Sequence, residues 1–162
     1  MPPPASKQYE EELIMADTMD KARDAIAASS PQSAVYIGCD SIRFKKGKLW
    51  FAKYSVVVIL HMDQRHGCKL FHKTEIQPDY GNLRMRLMTE VGYAVETALE
   101  LVEVIGDRVF QVHLDINPDE KHKSFVALKE AQGYVRGVMG FDPHVKPDGF
   151  AATHAADHVV RH

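Results

Sequence analysis

Hydrophobic and polar positions change period several times along the chain. After a proline-rich start, EELIMADTMDKARDAIAA places Leu13, Ile14, Met15, Met19, Ala22 and Ile26 at helical rather than alternating spacing. This predicts an N-terminal helix over 11–30, ended by the breakers in SSPQS, with residues 1–10 expected to be flexible. Three apolar, β-branched runs follow: AVYIGCDS, LWFAKYSVVVILHM and CKLFHKTEI. The turn-like RFKKGK and MDQRHG separate them, so the expectation is an antiparallel meander of three strands, with Asp40 where the first strand ends.

From Gly81 the pattern is helical again, over NLRMRLMTEVGYAVETALELVEVIG. With successive residues about 100° apart, Leu83, Leu87, Val91, Ala94, Val95, Ala98, Leu101, Val102 and Ile105 form one stripe. Glu96, Glu100 and Glu103 fall opposite, whereas Glu90 lies at the edge of the apolar stripe. Then come RVFQVHLDIN, a strand ending in an acid, the helical SFVALKEAQGYVRGVMG, a short strand at HVKP and a final helix, FAATHAADHVVRH. A meander followed by alternating helices and strands predicts an α/β fold with a mixed five-stranded sheet, helices on both faces and an extra N-terminal helix.

With 162 residues the chain is read as one domain, and 45% hydrophobic with 26% charged residues is an ordinary globular composition. A net charge of −2 supplies no global basic signal, so a nucleic-acid partner needs a local patch or bound metal. Cys39 and Cys68 do not form a metal-type spacing, and reduced thiols in a cytoplasmic setting are expected. The N-terminal residues lack the pattern of a signal peptide, and no apolar run is long enough to span a membrane.

Four places carry acids that change this picture: Asp40 in YIGCDS, Asp115 in QVHLDIN, Glu90 on the long helix, and Asp157 in the last helix with His154 three residues earlier. Open α/β sheets present strand ends to a ligand crevice, and a carboxylate buried there unpaired is costly. Two such aspartates supply oxygen ligands of the kind Mg2+ and Mn2+ favour. Taken singly, each has an ordinary reading: Asp40 and Asp115 as turn formers, Glu90 as a partner for Arg86 at helical spacing, His154 as a surface or core histidine.

The order of these elements and acids resembles the ribonuclease H-like superfamily, and more closely the YkuK-type ribonuclease H-like family. YIGCDS, HLDIN followed by KSFVALKEAQGYVRGVMGF, and KPDGFAATHAADH carry the resemblance, over about residues 33–158. It implies a ribonuclease H-like fold and a divalent-metal-dependent nuclease using two Mg2+ or Mn2+ ions, leaving a 5′-phosphate and a 3′-hydroxyl. Asp40, Glu90, Asp115 and Asp157 are then the metal ligands, and His154 a ligand or proton shuttle. The H-x-x-D of His154 and Asp157 is similar to the pair in Holliday-junction resolvases.

The partner so implied is nucleic acid: RNA, an RNA–DNA hybrid or branched DNA, the last suiting a homodimer. Two alternatives stay open, a resolvase-like DNA endonuclease and a nucleic-acid-binding protein that keeps the fold without catalysis. The lysines of RFKKGK and KHK are candidate phosphate contacts, or ordinary solvated turns. Nine histidines, among them His61, His66, His72 and His113, leave a zinc site as a further alternative, without a compact zinc motif to support it.

Overall fold

The computed structural model describes residues 18–146 and residue 149. Residues 18–28 are helical (α1); residues 11–17 of the expected N-terminal helix lie outside the described part. Then follow β1 (Ala34–Lys46), β2 (Leu49–His61), β3 (Cys68–Pro78), α2 (Leu83–Ile105), β4 (Val109–Leu114) and α3 (Leu128–Met139), with short 3-10 turns before β3 and α3. The sheet order is β3-β2-β1-β4. The meander is antiparallel, and β4 lies parallel to β1.

Among the described residues the sheet has four strands. The expected strand at HVKP contributes a single parallel bridge, His113 to His144. The final helix, with His154 and Asp157, lies outside the described residues.

The first turn is also placed differently from expectation. β1 does not stop at Asp40 but runs six residues further, and Lys46 pairs with Leu49 across a loop of only Gly47 and Lys48. Gly47 takes a φ of 63°, a left-handed conformation that a two-residue hairpin loop demands of its first central residue. RFKK resembles a turn because its side chains largely face water, yet its backbone is paired: Phe44 opposes Phe51, and their rings stack 5.7 Å apart.

Strand alternation sends Val35, Ile37 and Cys39 of β1 to one face, where they join Val56, Val58 and Leu60 of β2 and Val112 and Leu114 of β4 in the core. α2 covers this face. Asn82 caps it, its side chain accepting from Met85 N at 3.0 Å, and Ala94 and Ala98, one turn apart, are fully buried. The apolar stripe is buried as expected except at Leu83, which is half-buried, and Val102, which is 42% exposed. Met19 and Ile26 of α1 and Ala131 and Val135 of α3 complete the same cluster. No helix among the described residues is long and apolar enough to cross a membrane.

Candidate active site

Pairing between β1 and β4 ends at Cys39 with Leu114. Asp40 and Asp115 are the next residue on each strand, so the parallel register brings them to neighbouring positions where the two chains part. Asp40 is 8% exposed, and its Oδ1 accepts from the Ser41 backbone N–H at 2.8 Å.

Glu90, two turns into α2, is 6% exposed. The expected ion pair with Arg86 is replaced by a hydroxyl: Ser41 Oγ donates to Glu90 Oε1 at 2.5 Å. Burial raises the Glu90 pKa well above the ordinary glutamate value, and the charge of Asp40 raises it further. The Ser41 hydrogen bond pulls it down, Asp115 pushes it up, and Arg86 acts only as a more distant positive charge. The three carboxylates from β1, α2 and the end of β4 therefore belong to one electrostatic cluster.

Asp115 has a counter-charge that the amino-acid pattern did not reveal: Lys146 Nζ lies 2.6 Å from its Oδ1. The chain returns beside β4 to place it. His144 N donates to Val112 O and Leu114 N to His144 O, both at 2.8 Å, and Lys146 N donates to Ile116 O at 3.1 Å. Gly149 follows so closely that a Cβ there would lie 2.8 Å from His144 O and 2.9 Å from Leu114 O, both backbone atoms. Only glycine permits that approach. A Lys three residues before a glycine in KPDG was the available signal, but nothing in it specified Asp115 as the partner.

His113, among the histidines noted in the sequence, and Asn117, which follows Asp115 by two residues, take structural positions. His113 is fully buried, hydrogen-bonds Gln111 at 2.9 Å and lies between the rings of Tyr36 and His144. Burial lowers its pKa to about 4, with His144 adding to the shift. Asn117 shapes the following loop, its N–H donating to Ser124 and its Oδ1 accepting from Asp119 N, each at 2.9 Å. His154 and Asp157 are not among the described residues.

Asp40, Glu90 and Asp115 supply only oxygen donors, which suits a hard divalent cation, and Glu90 pressed by two like charges is a group that such a cation would favour in its ionised form. Among the described residues, no three His, Cys, Asp or Glu side chains are gathered closely enough to hold an ion by themselves. The donor chemistry therefore fits a divalent metal, with further ligands or water needed to complete its shell.

The model of a family described as Ribonuclease H-like matches residues 17–161, nearly the whole chain. No curated protein and no solved structure shows significant similarity to it.

Proposed function

The chain belongs to the ribonuclease H-like family, and from that premise we propose that it is a divalent-metal-dependent nuclease acting on RNA, as an RNA–DNA hybrid or a structured strand. The observation that supports this reading is that Asp40 and Asp115 directly follow the last β1–β4 pair and that both, together with burial, raise the pKa of Glu90 on α2. Mg2+ or Mn2+, when bound, would polarise the scissile phosphate and lower the pKa of an attacking water.

In this reading Asp40, Glu90 and Asp115 hold the ions, together with Asp157, and His154 moves a proton at the leaving oxygen or completes a ligand shell. Ser41 orients Glu90 through its hydroxyl and Asp40 through its backbone N–H. Lys146 pairs with Asp115 and would compete with a bound cation for that carboxylate.

The Lys146–Asp115 pair also favours a second reading, a nucleic-acid-binding protein that kept the fold and closed its metal site with an ammonium group. One experiment separates them. Labelled RNA–DNA hybrid, single-stranded RNA and a four-way junction are incubated with the protein in Mn2+, Mg2+ or EDTA. The nuclease reading expects metal-dependent cleavage of an RNA-containing substrate, lowered at least about 100-fold by Asp40→Asn, as for loss of a group that acts on the transition state. Binding with no cleavage in either metal overturns it in favour of the second reading. Cleavage confined to the junction redirects it to a resolvase-like endonuclease.

A further inference from the structure

Beyond Asp40 the sheet narrows. β4 leaves β1 after Cys39, β3 reaches only Phe51 through its pairing with Pro78, and from Lys45 to Trp50 the two strands of the β1–β2 hairpin pair with each other, joined from outside only by the Asp79 N–H at Trp50 O among the described residues. This arm projects past the acidic cluster. Lys45 is five residues along β1 from Asp40, about 16 Å at the rise of an extended strand.

The arm has an unusual composition. From Ser41 to Met62 there is no Asp or Glu, while Arg43, Lys45, Lys46, Lys48 and Lys53 supply positive charge. Lys45, Lys46 and Lys48 are exposed and make no ion pair among the described residues. Beside them Trp50, the only tryptophan of the chain, is 44% exposed.

Trp50 is also held in place. The Arg43 guanidinium sits 4.5 Å from the ring centroid and is itself bonded to the buried carboxylate of Asp79, whose N–H donates to Trp50 O at 2.9 Å. The Lys45 ammonium lies 5.9 Å from the same ring. Asp79 is committed to Arg43, so the lysines remain uncompensated. A rigid aromatic among free cations is the combination that binds unpaired nucleotides, because every base has a face to stack and every linkage a phosphate. A paired duplex hides its base faces, and an acidic protein segment has no use for an indole platform among the lysines.

We propose that the β1–β2 arm is a docking site for single-stranded nucleic acid, with Trp50 stacking on a base and Lys45, Lys46 and Lys48 contacting phosphates. This deepens the nuclease reading by assigning the surface that guides a strand toward Asp40. It rests on that reading only for the identity of the partner as nucleic acid, since docking requires no catalysis.

The test uses the full chain in EDTA, where cleavage does not interfere. Single-stranded RNA, single-stranded DNA of the same sequence and a blunt duplex are titrated while Trp50 emission is followed, with anisotropy of labelled oligonucleotides measured in parallel. The single strands should quench Trp50. Trp50→Ala should weaken their binding by about 5- to 150-fold, the range expected for one stacked base, and Trp50→Phe should restore most of it. Changing Lys45, Lys46 and Lys48 together to Gln should reduce the slope of log affinity against log salt by about 2. Circular dichroism checks that these exposed changes leave the fold intact.

Single strands bound without quenching, Trp50→Ala binding as wild type, or preference for the duplex with unchanged emission overturns the proposal. So does equal binding of polyglutamate, or a dimer formed through the arm that excludes oligonucleotides. Cleavage in Mn2+ with no role for the arm would overturn this inference and leave the nuclease reading standing; docking without cleavage would do the reverse.

Discussion

Ser41→Ala isolates the connection between β1 and the helix carboxylate. The change removes the hydroxyl that donates to Glu90 at 2.5 Å, but keeps the backbone N–H that serves Asp40, and leaves no large cavity. A hydrogen bond to an ionised group contributes about 1.5–3 kcal/mol, and one between neutral groups about 0.5–1.5 kcal/mol. Burial and Asp40 raise the Glu90 pKa above its unfolded value. The stability this group contributes is therefore complete below the unfolded pKa and is lost as pH rises through the folded one. Because Ser41 lowers the folded pKa, removing it shifts that pKa further up and deepens the loss. Urea unfolding in EDTA, from about pH 5 to about pH 9, should show Ser41→Ala destabilised by about 1 kcal/mol at the acid end and by about 2–3 kcal/mol at the alkaline end. Ser41→Thr, which keeps a hydroxyl, should recover much of the difference. A loss that stays constant across the pH range would refute the assignment of Glu90 as the group Ser41 serves.

Two other substitutions test the framework around the site. Arg108 Nε donates to Ser29 Oγ and Ser30 O, Nη1 to Val104 O and Ile105 O, and Nη2 to Ser29 O at 2.7 Å, tying the chain after α1 to the end of α2. Arg108→Ala should lower unfolding free energy by about 2–4 kcal/mol, less than the sum of its bonds because they share one side chain, and Arg108→Lys should recover under half, since an ammonium cannot span both helix ends; full rescue by Lys in a urea titration would contradict this. Gly149→Ala places a Cβ against the carbonyls of His144 and Leu114, which should destabilise by about 1–3 kcal/mol and draw Lys146 away from Asp115. Unchanged melting together with unchanged cleavage would show that this close approach is not needed.

Several features of the fold follow from sequence alone, for a definite reason. The α2 stripe from Leu87 to Ile105 was legible because burial on a helix repeats with its 3.6-residue period, and the cap and length of α2 agree with the pattern. The three meander strands were legible because β-branched runs between turn residues have few other uses. Local pattern failed where backbone pairing and side-chain exposure disagree: RFKK has the polarity of a turn, but pairs with β2 as strand, so Asp40 stands within β1 at the end of the β4 pairing rather than at the end of the strand itself.

The acids of the candidate site divide in the same way. Residue type and position within an element marked Asp40, Glu90 and Asp115, because a carboxylate beside apolar residues is conspicuous in one dimension. Whether they meet depends on register between β1 and β4 and on the seating of α2, interactions between residues 49 to 75 positions apart in the chain. Ser41 as the partner of Glu90, and Lys146 as the partner of Asp115, came only from the tertiary structure. A hydroxyl or an ammonium carries no periodic signature, and its partner is chosen by which backbone carbonyls the returning chain can reach.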